Sequence, residues 1–227
     1  MRTYPNFHFE NRLRKLGYKF IAGVDEVGRG CFAGPVVAAA VAFAPNSNFE
    51  FLISNKFSNK IIINDSKKLT ARQRERSSFW IKKHAFCYGI GWASVAQINK
   101  LGIKKASEIV FRKAIKNCGV EINYLLIDAF YIPYVKGLRR RNQEPIIKGD
   151  TKSISIAAAS IIAKVYRDKL MTDLGKKPKF RRYKWAKNKG YGTLEHRKAI
   201  KKYGLTRYHR KQFVETWIRN SSFSPTR

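Results

Sequence analysis

Two apolar runs joined by a glycine-punctuated turn constrain this chain more than any other feature. Tyr18 to Val24 (YKFIAGV) reads as a buried strand ending on Asp25 and Glu26, Gly28 to Gly34 as a turn, and Pro35 to Phe43 as a second strand. A hairpin-like start commits the chain to a sheet, and the later pattern says which kind. Thr70 with Gln73 is a capping-box pair for a helix over Ala71 to Ala85, and Cys87 to Ala93 reads as a third strand. Val95, Ile98, Leu101, Ile109, Val110 and Ala114 recur at broadly helical spacing, with Gly119 as the stop. A strand over Tyr124 to Ile127 ends on Asp128, a short one over Pro145 to Ile147 leads to Asp150, and an alanine-rich helix spans Ser153 to Leu170. Three antiparallel strands followed by alternating helix and strand predict an α/β fold: a mixed sheet flanked by helices.

The rest of the chain is more polar. Asn46 to Ile63 reads as an irregular excursion, and Gly175 to Lys189 as a Lys- and Arg-rich connection. Its aromatics, Phe180, Tyr183 and Trp185, suit either a duplex-backbone clamp or a core-packing hinge. Helices over Leu194 to Tyr203 and near Arg210 to Ile218 complete a small C-terminal helical extension. The expected organisation is a basic leader (1–19), an α/β domain (20–175), a helical extension (176–220) and a frayed tail (221–227).

Lys and Arg number 47 against 15 Asp and Glu, a formal charge of +32 over 227 residues. Such a chain calls for a polyanionic partner, and nucleic acid is the obvious one, although charge alone does not separate nucleases from binding proteins. Cys31, Cys87 and Cys118 are widely spaced and odd in number, which suggests buried free thiols rather than disulfides or a zinc site. With no apolar targeting segment among the first 20 residues and no run of membrane-spanning length, a cytoplasmic protein is expected.

In so basic a chain the positions of the few acids carry information. Asp25, Glu26, Asp128 and Asp150 each fall at or just past the end of an apolar run. Strand ends of an open sheet form the crevice where ligands bind, and four carboxylates without His or Cys suit Mg²⁺ or Mn²⁺ better than zinc. Any one strand-end Asp is more often a turn former or cap; four together make a metal site the better account. Asp25 and Glu26, being consecutive, should point to opposite faces, so one of them should reach the crevice less directly.

Gly28, Arg29, Gly30 and Gly34 do not make a dinucleotide fingerprint: the spacing is G-x-G-x-x-x-G, and a strand follows rather than a helix. Glycines beside an acidic site instead let backbone groups approach a ligand, and paired backbone donors and acceptors suit a ribose 2′-hydroxyl.

The segments GVDEVGRGCFAGPVV (Gly23 to Val37), NDSKKL (Asn64 to Leu69), LID (Leu126 to Asp128), KGD (Lys148 to Asp150), AAASIIAKVYRD (Ala157 to Asp168), GYGT (Gly190 to Thr193) with His196, and His209-Arg210 occur in an order that resembles ribonuclease HII. The resemblance runs from about Ile21 to Phe213. It implies an RNase H-like fold, a site formed by Asp25, Glu26, Asp128 and Asp150 with Mg²⁺ or Mn²⁺, and action on RNA/DNA hybrids and ribonucleotide-containing duplex DNA. It further implies that Gly28-Arg29-Gly30 reads the 2′-hydroxyl and that Tyr191 packs on the neighbouring sugar. Type HIII usually differs in this turn and carries a sizeable N-terminal domain, so HII is favoured. Gln212 stands where the family commonly has serine, and Arg139 to Gln143 is unusually basic.

On a helix Ser160, Lys164 and Arg167 share one face opposite Ile154, Ala158, Ile161, Ile162 and Val165, so Lys164 is a candidate phosphate contact, as is Lys67. Asp168 reads as an ion-pair partner, Asp65 as a turn or cap residue, and His196 and His209 as structural or phosphate-facing groups. The expected agent is a monomeric metal-dependent endonuclease that cuts on the 5′ side of a ribonucleotide by two-metal in-line hydrolysis. The rivals are an HIII-like enzyme needing several ribonucleotides and a non-catalytic nucleic-acid-binding protein.

Overall fold

The computed structural model describes residues 4–45 and 61–222. Five strands, β1 (Ile21–Val27), β2 (Val36–Ala42), β3 (Cys87–Ala93), β4 (Tyr124–Asp128) and β5 (Gln143–Ile146), form one mixed sheet in the order β3-β2-β1-β4-β5. The first three pair antiparallel, and β4 runs parallel to β1 and β5. Around the sheet lie α1 (His8–Lys15), α2 (Ala71–His84), α3 (Val95–Lys116), α4 (Ile154–Lys176), α5 (Trp185–Asn188), α6 (Leu194–Tyr203) and α7 (Lys211–Ser222).

Strand β2, VVAAAVA, is buried along its whole length, and its composition explains the layering. Ala38, Ala40 and Ala42 share a core with Val110, Phe111 and Ala114 of α3. Val37, Ala39 and Val41, on the other face by the two-residue period, pack with α2 and the alanine-rich start of α4. Small residues on both sides let two long helices lie close to one strand. The same economy appears at Gly23, where a Cβ would stand 2.1 Å from the Ser155 carbonyl carbon. Only glycine in β1 admits the N-terminal end of α4, and that contact places α4 against the strand that carries Asp25 and Glu26.

Several boundaries differ from the sequence expectation. The first strand starts at Ile21 and continues through Asp25 and Glu26 to Val27. The last strand is Gln143–Ile146, so Asp150 lies beyond it in a 3₁₀ turn, Gly149–Thr151. Helix α4 runs to Lys176 rather than Leu170. The Gly175 to Lys189 stretch is folded rather than a simple connection: a 3₁₀ helix (Pro178–Tyr183) and α5 occupy most of it. Phe180, Tyr183 and Trp185 are buried with Met171, Ala199, Ile200 and Val214, so these rings build a second core. Trp185 stacks on Tyr183 and Phe180 at centroid distances of 5.1 and 5.3 Å. The excursion at 46–60 and the end of the tail, 223–227, lie outside the described residues.

Within the basic leader, α1 packs Leu13 against Ile21, Leu126, Ile146 and Ile156. Its buried Glu10 accepts from Ser153 Oγ (2.7 Å) and Ser155 N (3.0 Å) at the start of α4. A carboxylate at a helix N-terminus meets unpaired amides and the positive end of the helix dipole. The three cysteines are buried free thiols, as expected. Among the described residues no helix is long and apolar enough to cross a membrane.

Candidate active site

The C-terminal ends of β1 and β4, side by side in a parallel pair with Val24 opposite Ile127, bring Asp25, Glu26 and Asp128 to one edge of the sheet. Asp150 is added by the turn before α4, where Gly149 N donates to Asp128 Oδ1 at 2.9 Å. That bond ties the two carboxylate-bearing turns together. Ala129 (φ 69°) and Lys148 (φ 56°) adopt left-handed backbone immediately beside this pair. Non-glycine residues pay for that conformation, here where the chain must turn sharply to present an acid.

The electrostatics are those of crowded like charges. Burial, then the negative charges of Glu26, Asp128 and Asp150, push the Asp25 carboxyl well above the usual carboxylate range. Burial raises Glu26 too, opposed by Arg29, whose Nη1 donates to Glu26 Oε1 at 3.3 Å. Asp150 is pushed up to about 6 by burial, then by Asp65 and Asp128, while Lys67 works against the shift. As the side chains stand, no three His, Cys, Asp or Glu among the described residues close into a finished metal cage. The donor chemistry nonetheless fits a hard divalent cation: only carboxylate oxygens, partly buried, whose mutual repulsion a bound cation would relieve. As the two-residue alternation requires, Asp25 lies on the Gly23 face and Glu26 on the Val24 face, where Arg29 holds it and stacks on Phe130 at 5.3 Å.

Beyond β1 the chain makes the glycine turn. Gly28 is buried with φ +93°, and a Cβ there would fall 2.1 Å from Arg167 Nε; Arg29 and Gly30 are exposed at the tip. Two fully buried arginines hold the turn from behind. Arg167 donates to the carbonyls of Pro35 (2.9 Å), Lys189 (2.9 Å) and Ala33 (3.1 Å). Arg210 donates to Arg29 O (2.7 Å) and twice to Gly34 O (2.9 and 3.0 Å). The turn is joined to the GYGT segment as well, since Phe32 N and Ala33 N both donate to Gly190 O. Tyr191, 40% exposed, is thereby set beside the turn, with Lys164 and Arg167 near its ring at 5.6 and 5.8 Å.

The structure corrects one sequence assignment here. Ser160 and Arg167 are buried, so Ser160, Lys164 and Arg167 do not form an exposed polar face of α4. The helix is covered on nearly all sides over its first ten residues, and helical period alone does not show that. Lys164 pairs with Asp168 at 2.9 Å, and Arg74 approaches the same carboxylate at 3.8 Å, so Asp168 is an ion-pair residue as its sequence context suggested. Asp65 caps its turn by accepting from Lys67 N at 2.9 Å, and it also adds charge beside Asp150, which sequence reasoning missed. His196 and His209 are structural and fully buried.

The sequence model of the ribonuclease HII family matches residues 22–217. Ribonuclease HII of Wolbachia sp. subsp. Brugia malayi is 46% identical over 212 residues, covering 93% of this chain and 94% of that protein. The Caldanaerobacter subterraneus enzyme of the same name is 46% identical over 207 residues, covering 91% and 79%. Among solved structures, the RNase HII of the Archaeoglobus fulgidus PCNA complex superposes with TM-score 0.67 at 24% identity, over 84% of this chain and 93% of that one. Bst-RNase HIII in complex with Mn²⁺ shares the fold at TM-score 0.64 and 18% identity, over 91% and 72%. Family match, long relatives and a mixed sheet ending in acids agree: the chain belongs to the ribonuclease HII family and is a ribonuclease H, a hydrolase that cuts within nucleic acid.

Proposed function

We propose that this ribonuclease H hydrolyses the RNA strand of RNA/DNA hybrids and also nicks duplex DNA on the 5′ side of embedded ribonucleotides, leaving 3′-hydroxyl and 5′-phosphate ends. The observation that carries the reading is the adjacency of the carboxylate cluster to an exposed glycine turn: Glu26 and Arg29 share a hydrogen bond across that boundary. A group that senses a 2′-hydroxyl is then one side chain away from the acids that serve the adjacent phosphate.

In this reading Asp25, Glu26, Asp128 and Asp150 hold Mg²⁺ or Mn²⁺. When bound, two such ions supply activation of a water for in-line attack and neutralisation of charge on the leaving oxygen. Asp128 is aimed by the Gly149 amide, and Glu26 is steadied by Arg29. Gly28, Arg29 and Gly30 recognise the 2′-hydroxyl, and Tyr191 packs on the neighbouring sugar. Lys67, beside Asp150, and Lys164, beside Tyr191, contact flanking phosphates, with the many other cations adding salt-dependent affinity. The extension at 176–220 supports the substrate from the Tyr191 side, and the enzyme acts as a cytoplasmic monomer.

The test is cleavage of a DNA duplex carrying one ribonucleotide, with Mg²⁺, with Mn²⁺ and with EDTA. A metal-dependent cut on the 5′ side of the ribonucleotide is expected. Cleavage of a long hybrid without that nick would indicate an HIII-like requirement for several ribonucleotides, and cleavage unaffected by EDTA would remove the metal from the mechanism.

A further inference from the structure

Among the described residues Arg210 has no carboxylate partner; its guanidinium donates to two backbone carbonyls, Arg29 O and Gly34 O. Burial lowers it to about 10, still far above neutral pH, so a charged group is kept in the interior with no counter-ion among the described residues. Burying a cation is costly unless its donors are well used, and nearby arginine Arg167 adds repulsion. A simple packing role would be met by an apolar side chain at lower cost.

The bond to Arg29 O has a geometric consequence. In a trans peptide the C=O and N–H of one unit point in opposite directions, and the described residues contain no cis peptide. Arg210 draws the Arg29 carbonyl inward at 2.7 Å, so the N–H of the same unit, that of Gly30, is turned away from Arg210. Gly30 lies at the exposed tip, and a Cβ on it would meet nothing within 4 Å. The other end of the loop is clamped independently: Arg210 N donates to Phe32 O, Gly34 N donates to Tyr208 O, and Ala33 bridges His209. Little freedom is left for the Arg29-Gly30 peptide to rotate.

We propose that Arg210 is a positioning residue for substrate specificity, fixing the plane of the Arg29-Gly30 peptide so that the Gly30 amide is presented to the ribose 2′-oxygen. The inference rests on the reading of this turn as the 2′-hydroxyl sensor. Arg210 touches no substrate; it acts through the peptide unit it holds. Lysine cannot replace it, because one ammonium lacks the planar fork that spans both carbonyls.

The experiment compares single-site duplexes bearing a 2′-hydroxyl or a 2′-fluoro group, the latter a poor acceptor, with wild type, Arg210→Met, Arg210→Lys, Gly30→Ala and Val214→Ala. Val214 lies in the same second core as Ala33 and, being apolar, holds no carbonyl of the turn, so Val214→Ala controls for loss of packing and stability behind the turn. The wild-type preference for the hydroxyl in kcat/KM should fall about tenfold in both Arg210 variants and stay unchanged in Val214→Ala, because only a misplaced amide couples enzyme to the substituent. Arg210 variants that cut both substrates more slowly but keep the wild-type preference would overturn the inference while leaving the sensor intact. If Gly30→Ala also keeps the full preference, or wild type shows none, the sensor reading fails and the inference with it. Should Arg210→Met not fold, Arg210→Lys alone decides.

Discussion

Trp185 and His196 are joined by a buried hydrogen bond, the indole Nε1 donating to the imidazole Nε2 at 3.0 Å. His196 must therefore carry its proton on Nδ1, which lies 2.8 Å from Tyr191 O and donates to it. Thr206 N donates to His209 Nδ1, leaving the His209 proton on Nε2, 3.1 Å from His196. Both rings are neutral in this arrangement, and the chain of bonds ends on the backbone of the residue proposed to pack on the sugar.

Acid should weaken this network. Burial, then the neighbouring His196, lowers His209 from 6.5 to about 4. The unfolded chain therefore takes up a proton below about pH 6.5 that the folded chain refuses until about pH 4, and stability falls with pH across that window. Linkage puts the loss from His209 on the order of 3 kcal/mol by pH 4, to be checked by urea unfolding between pH 7 and 4. The raised carboxyls of Asp25 and Asp150 work in the opposite direction over this range, so the His209 contribution is read as the difference from a His209→Gln variant, and a variant whose midpoint changes with pH just as the wild type does would overturn the assignment.

Asp128→Asn should abolish cleavage, by about 100-fold or more, without unfolding the protein. The amide oxygen can still accept from Gly149 N, and removing one negative charge relieves Asp25 and Asp150. A thermal melt in EDTA at or above the wild-type midpoint, with activity gone, is the expected pair of results.

Divalent metal should stabilise the fold, and more so at higher pH. A ligand at 100 times its dissociation constant adds about 2.7 kcal/mol. Because Asp150 holds a proton up to about pH 6, binding at pH 5.5 must displace it whereas binding at pH 8 need not. The Mg²⁺- or Mn²⁺-induced rise in Tm is therefore expected to shrink between pH 8 and 5.5 and to vanish in EDTA.

Two glycines of one turn should behave oppositely. Gly28→Ala meets both a positive φ and Arg167 at 2.1 Å, and should cost about 2 kcal/mol or more together with activity. Gly30→Ala has open space around it and should melt like wild type while nicking poorly at a single ribonucleotide.

What was legible in the sequence was local. Strand Cys87–Ala93 and helix Leu194–Tyr203 lie where pattern and caps placed them, and the Thr70/Gln73 capping box forms with both of its bonds. The four acids were noticeable because the chain has so few, and the fold sets them near one another. Arg167 and Arg210 were not legible as buried groups. Their partners are carbonyls, which every residue has, and the Arg167 contact with Pro35 spans 132 residues of sequence. Likewise the Lys-rich 175–189 stretch hid a core, because its lysines outnumber the three rings that turn inward.

The clamp on the glycine turn also orders events during synthesis. Gly34 and Arg210 are 176 residues apart, so the strands bearing the acids are made long before the residue that seals the turn. Contacts so distant in sequence form late in folding. A ribosome-bound or truncated chain lacking Arg210 could thus assemble its sheet while its ribonucleotide sensor is still open, and discrimination would be the last property the enzyme acquires.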